Sequence, residues 1–287
     1  MTPSEAHRYC TEKTKNSGSN FYYSFLFLAR ERREAMYTVY TFCHEVDDAV
    51  DHPSPNTNPE KQIALWREEV TALYQGSPHF PVTISLAEHV HKLDIPETYL
   101  QELLSGMEMD VTTQRYETFE ALSLYCYRVA SVVGLICLKV FGTKSLEAED
   151  YAMNLGMAFQ LTNILRDVGA DADRNRIYIP LEDLSKFGYS EQQLREKQYS
   201  PDFQELMRFQ CSRVHDYYDK AQEIFHALPK EDQKSLVAAE IMRAVYFRIL
   251  LRIESLQYQV FGPRISLAPS KRFLLAIYTW LRSSLSV

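Results

Sequence analysis

Residues 156–180 read GMAFQLTNILRDVGADADRNRIYIP, and this stretch decides the fold class. Asn163, Asp167 and Asp171 recur every four residues, so on an α-helix their oxygen-bearing side chains form one column. Aliphatic residues separate them, and these suit burial rather than a solvated surface. A column of carboxylates beside a buried apolar stripe is costly unless a metal ion or another partner neutralises it. The stretch therefore predicts a long buried helix, over about 145–173, whose carboxylates require a partner.

Helical periodicity continues through most of the 287 residues. Glycine is scarce, with 9 residues, and alternating strand patterns are absent, which predicts an all-α fold. Proline-rich segments at 52–60 and 76–81 are typical of loops, and Gly142 follows a helix end. Ser190 with Gln193 forms a capping box that opens a short helix. Because no shift in composition divides the chain, we predict one domain over 1–287. The predicted helices span about 4–15, 22–52, 60–75, 83–92, 97–114, 117–141, 145–173, 203–227, 230–258 and 266–285.

Composition and charge argue against several classes of function. The 38 acidic and 31 basic residues give a net charge of −7, which argues against nucleic acid as the main partner. The five cysteines are widely spaced without a C-x-x-C pair, so neither a disulfide framework nor a zinc site is expected. The N-terminus lacks the pattern of a secretory signal, and the longest apolar runs fall short of the roughly 20 residues of a membrane span. A cytoplasmic protein without a transmembrane segment is the expectation.

A second acidic motif, CHEVDDAVD, occupies residues 43–51. Asp47 and Asp51 are four residues apart and project from one helix face, where two like charges destabilise the helix unless a cation lies between them. Carboxylate oxygens are the ligands that Mg²⁺ takes, usually together with substrate phosphates. Either acidic column alone is more typical of a solvated acidic face. Two columns set among aromatic and aliphatic residues instead favour Mg²⁺ ions that bridge the protein to a diphosphate.

Aromatic residues are abundant, with 19 Tyr and 15 Phe. Most are expected to pack the core. A subset near the acidic columns offers a second interpretation, an apolar cavity whose ring faces stabilise a carbocation. The candidates for this cavity are Phe21, Tyr22, Tyr23, Tyr37, Tyr40, Tyr125, Tyr127 and Tyr246.

The C-terminal run KRFLLAIYTWLR, residues 271–282, has basic residues on both sides of an apolar segment. This pattern indicates either a helix that closes the core or an amphipathic helix that touches a membrane surface. We favour the closing core helix.

The chain resembles the squalene/phytoene synthase family, the head-to-head trans-isoprenyl diphosphate synthases, over nearly its whole length. The resemblance rests on residues 156–180 and on three further segments, which are SGSNFYYSFLFL (17–28), YTVYTFCHEVDDAVD (37–51) and YCYRVASVVG (125–134). It implies an all-α isoprenoid-synthase bundle around a deep central cavity, with the two acidic motifs facing each other across its mouth. It also implies a prenyltransferase that joins two farnesyl or geranylgeranyl diphosphates with Mg²⁺.

Matched position by position, the resemblance assigns roles to individual residues. The implied Mg²⁺ ligands are Asp47, Asp51, Asn163, Asp167 and Asp171, and the four aspartates together with Tyr40 are the implied catalytic residues. The implied substrate-binding residues are Phe21, Tyr40, His44, Tyr125, Gln160, Arg166 and Tyr246. Two positions depart from the family, since His44 stands where an arginine is usual and Asn20 stands where a serine is common. A histidine is only partly charged near neutral pH, so we expect a weaker or differently arranged grip on the first diphosphate.

Within the family, segments 21–28, 46–51 and 174–190 look most like the hopanoid-pathway presqualene diphosphate synthases. That likeness implies the condensation of two farnesyl diphosphates to presqualene diphosphate, without NADPH, on the route to squalene. A complete squalene synthase that uses NADPH, and a dehydrosqualene or phytoene synthase of carotenoid biosynthesis, remain alternatives. A helical protein that binds isoprenoids without catalysis is a more remote one. Peripheral contact with the inner face of a membrane also stays open.

Overall fold

Helices account for almost all regular structure in the computed structural model, which describes residues 1–19, 21–51 and 58–285, without the side chains of 284 and 285. The all-α prediction is confirmed, since the described residues hold only one isolated β-bridge, between Arg115 and Ile177. The helices are α1 (Pro3–Asn16), α2 (Tyr22–Phe25), α3 (Arg30–Asp51), α4 (Pro59–Tyr74), α5 (Pro81–Val90), α6 (Glu97–Thr112), α7 (Phe119–Cys126), α8 (Val132–Phe141), α9 (Glu147–Asp173), α10 (Leu181–Lys186), α11 (Glu191–Arg195), α12 (Pro201–Ala227), α13 (Lys230–Ser235), α14 (Val237–Ser255) and α15 (Pro269–Leu285).

Most predicted helices match observed ones within a few residues, but two were predicted as continuous and are divided. The predicted helix over 22–52 is interrupted between Phe25 and Arg30. There Leu28 N donates to Phe25 O at 3.1 Å, an i to i−3 hydrogen bond of the kind found in turns, and α2 ends. This break buries both Phe25 and Leu28 in the core, and no proline or glycine marks it. The predicted helix over 230–258 is likewise divided at Leu236, between α13 and α14.

Two further local features concern short helices. The capping box at Ser190 and Gln193 is confirmed and opens α11. Helix α10 was not predicted, although Pro180 precedes it and two acidic residues occupy its first turn, which is a usual signal of a helix start.

Helix α9 lies at the centre of the fold and packs against α8, α12 and α14. It also packs against a π-helical segment, Tyr127–Ser131, which joins α7 to α8. The approach there is very close, because a Cβ atom placed on Gly156 of α9 would lie 2.6 Å from Ser131 Cα. Glycine is therefore required for α9 and the π-helical segment to touch through their backbones. A continuous buried core extends from Cys10 to Ile265, while the assignment of one domain to the entire chain stays a prediction.

Helices α7 and α8, with the π-helical segment between them, form one continuous helical run, Phe119–Phe141. Among the described residues it is the single run whose length, 23 residues, and mean hydropathy, 1.8, are compatible with a membrane span. Half of its most apolar window is buried inside the protein. The run packs against α6 and α9, so its apolar character is accounted for by its place in the core.

Candidate active site

The two acidic columns meet where their helices end. Asp47 and Asp51 lie in the last two turns of α3, and the second column lies in the C-terminal half of α9. Asp51 accepts hydrogen bonds from Arg176 Nη1 at 2.7 Å and from Arg174 Nη1 at 3.2 Å. Because both arginines directly follow α9, these ion pairs join the end of α3 to the end of α9. The two motifs therefore lie close to each other, which is the arrangement that the resemblance implies.

Asp167 of the second column is held by two other arginines. Arg166 Nε donates to its Oδ1 at 2.9 Å, and Arg264 donates from Nε at 3.1 Å and from Nη2 at 2.9 Å. Burial raises the pKa of Asp167, but the hydrogen bonds from these arginines more than offset that effect and lower it. Arg264 follows α14, 97 positions along the chain, and nothing in the local sequence pattern marked it as a site residue.

The remaining two aspartates, Asp47 and Asp171, both have raised pKa values. Partial withdrawal from water, reinforced by the carboxylates of Asp51 and Asp48, raises the pKa of Asp47 to about 6. Withdrawal from water, reinforced by Asp167, raises the pKa of Asp171 to about 7. Both side chains therefore hold a proton more readily than an ordinary aspartate, and both would be stabilised in the ionised form by a nearby cation.

Asn163 shows whether the site suits a metal ion. Its Oδ1 atom is buried and accepts no hydrogen bond in the described part of the chain, while its Nδ2 atom donates to Gln160 Oε1 at 3.4 Å. A buried oxygen without a donor is costly, and with the four aspartates it forms an all-oxygen set of the kind that Mg²⁺ takes. The residues therefore fit a hard divalent cation. With Asp51 and Asp167 facing arginines, no three His, Cys, Asp or Glu side chains of residues 1–19, 21–51 and 58–285 are placed to share one ion.

An apolar cavity of about 240 Å³ opens beside the acidic columns. Its walls come from α3, the π-helical segment, α8, α9 and α14, together with the segment around α2. Asn163 and Gln160 form its polar edge, and Tyr40 and Cys43 bring it to the helix face that carries Asp47. The cavity therefore adjoins both the helix that carries Asp47 and the first residue of the second acidic column.

Four rings form a continuous series through this cavity, which we call the aromatic series. Phe159 lies 4.7 Å from Tyr246, Tyr246 lies 5.5 Å from Phe21, and Phe21 lies 6.2 Å from Tyr40, measured between ring centroids. Three of these residues were predicted to line the cavity, and all three do so. Phe159 was not predicted as a lining residue, although it directly precedes Gln160 of the second motif.

Tyr125 was also predicted to line the cavity, but it lies outside the cavity wall. The same is true of the other candidates, Tyr22, Tyr23, Tyr37 and Tyr127. The hydroxyl of Tyr125 donates to Asp110 Oδ2 at 3.0 Å, and the hydroxyl of Tyr178 donates to Asp110 Oδ1 at 2.6 Å. Burial raises the pKa of Asp110 to about 6, against the lowering effect of these two donors. Sequence reasoning did not find Asp110, because a single aspartate within an apolar helix carries no pattern. The role of Tyr125 in binding substrate stays a prediction.

His44 lies near the cavity mouth, one helical turn before Asp48. Its Nδ1 atom is 2.9 Å from Asp48 Oδ2, and its ring centroid is 6.0 Å from that of Tyr40. The histidine therefore already has a carboxylate neighbour, and its grip on a diphosphate stays a prediction. Asn20, the other departure from the family, lies outside the described residues.

Several known proteins of similar sequence are phytoene synthases. The phytoene synthase of Arthrospira platensis is 32% identical, and the match covers 98% of this chain and 94% of that protein. The 15-cis-phytoene synthase of Synechococcus elongatus is 34% identical over 91% of this chain and 88% of that protein. The 15-cis-phytoene synthase of Synechocystis sp. is 32% identical over 97% of this chain and 86% of that protein.

Solved structures agree on the fold. A dehydrosqualene synthase bound to a ligand superposes with a TM-score of 0.84 and 27% identity, over 99% of this chain and 98% of that one. A squalene synthase from Alicyclobacillus acidocaldarius superposes with a TM-score of 0.81 and 24% identity, over 89% and 95%. The predicted isoprenoid-synthase helical fold is confirmed.

These relatives correct the interpretation of the chain as a presqualene diphosphate synthase. Three proteins that are 32% to 34% identical over nearly the full length are phytoene synthases, so the hopanoid-pathway assignment is wrong. Its basis was three short segments, whereas the longer match points to the carotenoid alternative.

The match to the family as a whole is broader. The family model for squalene/phytoene synthase covers residues 14–271, which include both acidic columns, the aromatic series and all four arginines described above. Members of this family are prenyltransferases that bind prenyl diphosphates. The chain belongs to the squalene/phytoene synthase family.

Proposed function

We propose that the protein is a phytoene synthase, which joins two geranylgeranyl diphosphates head to head in the presence of Mg²⁺. The observation that carries the proposal is the meeting of two acidic columns at the edge of an apolar, ring-lined cavity. Such a site holds a diphosphate and its apolar chain at once. The choice of the twenty-carbon substrate is supported by the names of the relatives, phytoene synthase and 15-cis-phytoene synthase.

The acidic end of the site serves the departure of diphosphate. Asp47, Asp51, Asn163, Asp167 and Asp171 would hold Mg²⁺, which when bound supplies Lewis-acid charge that stabilises the leaving diphosphate. The arginines that flank these residues, Arg166, Arg174, Arg176 and Arg264, add fixed positive charge to the same place. Guanidinium groups match phosphate oxygens in geometry, so they are suited to orient the diphosphate.

The cavity serves the carbocation that remains. When the bond between C1 and the diphosphate oxygen of one substrate breaks, the allylic cation is attacked by the C2–C3 double bond of the other. Loss of a proton then closes a cyclopropane, and the departed diphosphate, assisted by the Tyr40 hydroxyl, is the proposed base. The aromatic series lines this region, where ring faces stabilise positive charge. Apolar walls also exclude the water that would otherwise trap the cation.

The second half of the reaction needs no reductant under this proposal. Departure of the second diphosphate gives a rearranged cation, and loss of a proton from it leaves a hydrocarbon with a new central double bond. No hydride is added, so NADPH is not consumed. A squalene synthase differs at this step, because it transfers a hydride to the cation.

Product analysis tests the proposal. The purified protein is incubated with Mg²⁺ and either geranylgeranyl or farnesyl diphosphate, with and without NADPH, and products are identified by liquid chromatography and mass spectrometry. We expect a forty-carbon phytoene from geranylgeranyl diphosphate, unchanged by NADPH. Preference for farnesyl diphosphate with formation of dehydrosqualene would move the protein to the activity of its structural neighbour. Squalene formed only with NADPH, or no product from either substrate, would refute the proposal.

We further propose that the protein works in peripheral contact with a membrane, because its proposed product is a hydrocarbon. A hydrocarbon of forty carbons has negligible solubility in water, since each buried methylene group is worth about 0.8 kcal/mol. Release into a bilayer is therefore the favourable route for such a product.

A further inference from the structure

Helix α15 packs on α14 and α2, yet it exposes a row of large apolar side chains to solvent. Leu274, Tyr278 and Leu281 follow an i, i+4, i+7 spacing, so they share one helix face, and they are 65%, 61% and 45% exposed. The opposite face, which packs on the body of the protein, carries the small residue Ala276, which is buried, and Thr279, which is half-buried. A surface helix normally has the reverse arrangement. The expected core-closing role is therefore wrong for Leu274, Tyr278 and Leu281, whereas Leu275, Ala276 and Ile277 are half-buried or buried.

A basic groove of about 550 Å³ runs alongside this helix, between α15, α14 and the end of α12. Lys230, Lys234 and Arg248 line it and are exposed, and none of them forms an ion pair with another described residue. Arg282 of α15 lines the same groove. The carboxylate in its lining, Glu240, already pairs with Arg243 at 2.9 Å. The groove is thus a positive region on a chain whose net charge is −7.

We propose that the outer face of α15 and the basic groove beside it form a docking surface for a bilayer that contains anionic lipids. An apolar helix face buries its side chains at the boundary between headgroups and acyl chains. Lysine and arginine side chains next to it attract anionic headgroups, each contributing to binding near the surface. Aromatic residues favour the same boundary, and Tyr278 adds one on this face. Although the protein is acidic overall, lysine and arginine side chains lie beside the exposed apolar face at this surface. The surface is therefore complementary in charge to an anionic membrane.

Helix α15 contacts the segment that lines the cavity, and this contact links the docking surface to the proposed reaction. Phe273 of α15 contacts the ring of Tyr23 at 6.3 Å, and Trp280 contacts that of Phe27 at 5.7 Å. Phe21 and Phe25, from the same short segment, line the cavity. These ring contacts connect α15 directly to the segment that lines the cavity. This step rests on the proposed function, because a hydrocarbon product formed in the cavity would leave toward the bilayer.

Vesicle binding without substrate tests the docking surface separately from catalysis. The full-length protein is sedimented with vesicles of phosphatidylcholine alone or of phosphatidylcholine mixed with phosphatidylglycerol. We expect binding to the anionic vesicles, weakened by high salt. Binding should shift the emission of Trp280, which is 39% exposed, to shorter wavelength, while Trp66, which is 6% exposed, contributes a constant background.

Paired variants on α15 and in the groove locate the contact. We expect Leu274→Glu to lower the partition coefficient by about tenfold or more, because it removes an apolar anchor and adds repulsion. The double variant Lys230→Gln, Lys234→Gln should lower it by about tenfold on anionic vesicles only. The matched control is Lys61→Gln with Leu65→Glu on α4, where Leu65 is 44% exposed and the same charge and polarity changes are made on a different surface. The control should bind like the unmodified protein.

Several outcomes would overturn the docking surface. Equal loss of binding in the α4 control, or no loss in the α15 and groove variants, would place the contact elsewhere. A stable dimer in light scattering that Leu274→Glu dissociates would show that a second copy covers the face instead. Circular dichroism of each variant verifies folding, and Tyr278→Glu replaces Leu274→Glu if the latter does not fold. Product formation in detergent measures the proposed function independently, so failure of either proposal is recognised without the other.

Discussion

Replacing Gly156 by alanine provides a direct test of the packing that shapes the cavity. A Cβ atom at this position would lie 2.6 Å from Ser131 Cα, 2.8 Å from Ser131 N and 2.9 Å from the carbonyl carbon of Ala130. All three contacts are backbone atoms, so no change of rotamer relieves them. Helix α9 and the π-helical segment would have to separate, and residues on both, including Ala130 and Gly156, line the cavity.

The expected size of the effect follows from two opposing contributions. Alanine in a helix interior is favoured over glycine by about 0.5–1 kcal/mol. Overpacking a tight contact costs typically about 1–3 kcal/mol, and three backbone contacts below 3.0 Å justify the upper end. We therefore expect Gly156→Ala to lower the free energy of unfolding by about 2 kcal/mol, from the difference between these contributions.

The same helix offers a matched control. At Gly169 the nearest atoms to an added Cβ are Phe261 Cδ1 at 3.1 Å, Phe261 Cα at 3.5 Å and Lys197 Cε at 3.7 Å. The closest of these belongs to a side chain that can move, and the backbone atom lies at an ordinary van der Waals distance. Gly169→Ala should therefore be neutral or slightly stabilising, by up to about 1 kcal/mol.

Thermal unfolding of the two variants, followed by circular dichroism without Mg²⁺ or substrate, measures the difference. At roughly 2–4 °C per kcal/mol for a chain of this size, Gly156→Ala should unfold about 4–12 °C below Gly169→Ala. We also expect Gly156→Ala to form less product well below its Tm, because the cavity wall moves. If the two variants unfold together, or Gly156→Ala is the more stable, the backbone contact between α9 and the π-helical segment is not as close as described.

Four further outcomes concern the polar residues. Asp47→Asn should lower kcat by about a hundredfold or more at saturating Mg²⁺ while leaving the circular dichroism spectrum unchanged; retained activity would remove Asp47 from the metal ligands. Activity should fall as the pH drops through about 7 and then about 6, because protons on Asp171 and Asp47 compete with the cation, and added Mg²⁺ should move this fall to lower pH; a flat pH profile would contradict it. In the metal-free protein, the ionised form of Asp171 destabilises the folded state. This loss of stability grows as the pH rises from the ordinary pKa of an aspartate in the unfolded chain to the folded-state pKa of about 7. Asp171→Asn should therefore raise Tm more at about pH 8 than at about pH 5, and an equal rise at both would refute this. Asp110→Ala leaves the hydroxyls of Tyr125 and Tyr178 without their acceptor and should lower the unfolding free energy by about 1–3 kcal/mol, measured by urea denaturation; an unchanged midpoint would show that other acceptors replace it.

The sequence carries much of the fold because its information is local. Periodicity, proline and capping residues indicate where most helices begin and end, and these signals do not depend on distant parts of the chain. The break between α2 and α3 was missed because no residue there opposes a helix, and burial of Phe25 and Leu28 decides it instead. The π-helical segment was missed for a similar reason, since it depends on the close contact with Gly156 of α9.

The candidate site was likewise only partly predictable from the sequence. The acidic columns lie within single helices, so their four-residue spacing is visible in the sequence. The arginines that hold them are visible only in three dimensions, because Arg176 meets Asp51 across 125 positions and Arg264 meets Asp167 across 97. The hopanoid assignment was wrong for a different reason. Short segments that a family shares do not distinguish among substrates that differ in the length of an apolar chain.

The charges of the site lead to one further consequence for how ligands enter it. Four aspartates at the acidic columns are accompanied by four arginines, which are Arg166, Arg174, Arg176 and Arg264. The four carboxylates and four guanidinium groups therefore nearly cancel in charge, which stabilises the two carboxylate columns beside each other. Mg²⁺ alone would add unbalanced positive charge, and a diphosphate alone would add unbalanced negative charge. Bound together they leave the balance nearly unchanged, so the metal and the diphosphate should bind with positive coupling, each raising the affinity for the other by the same factor.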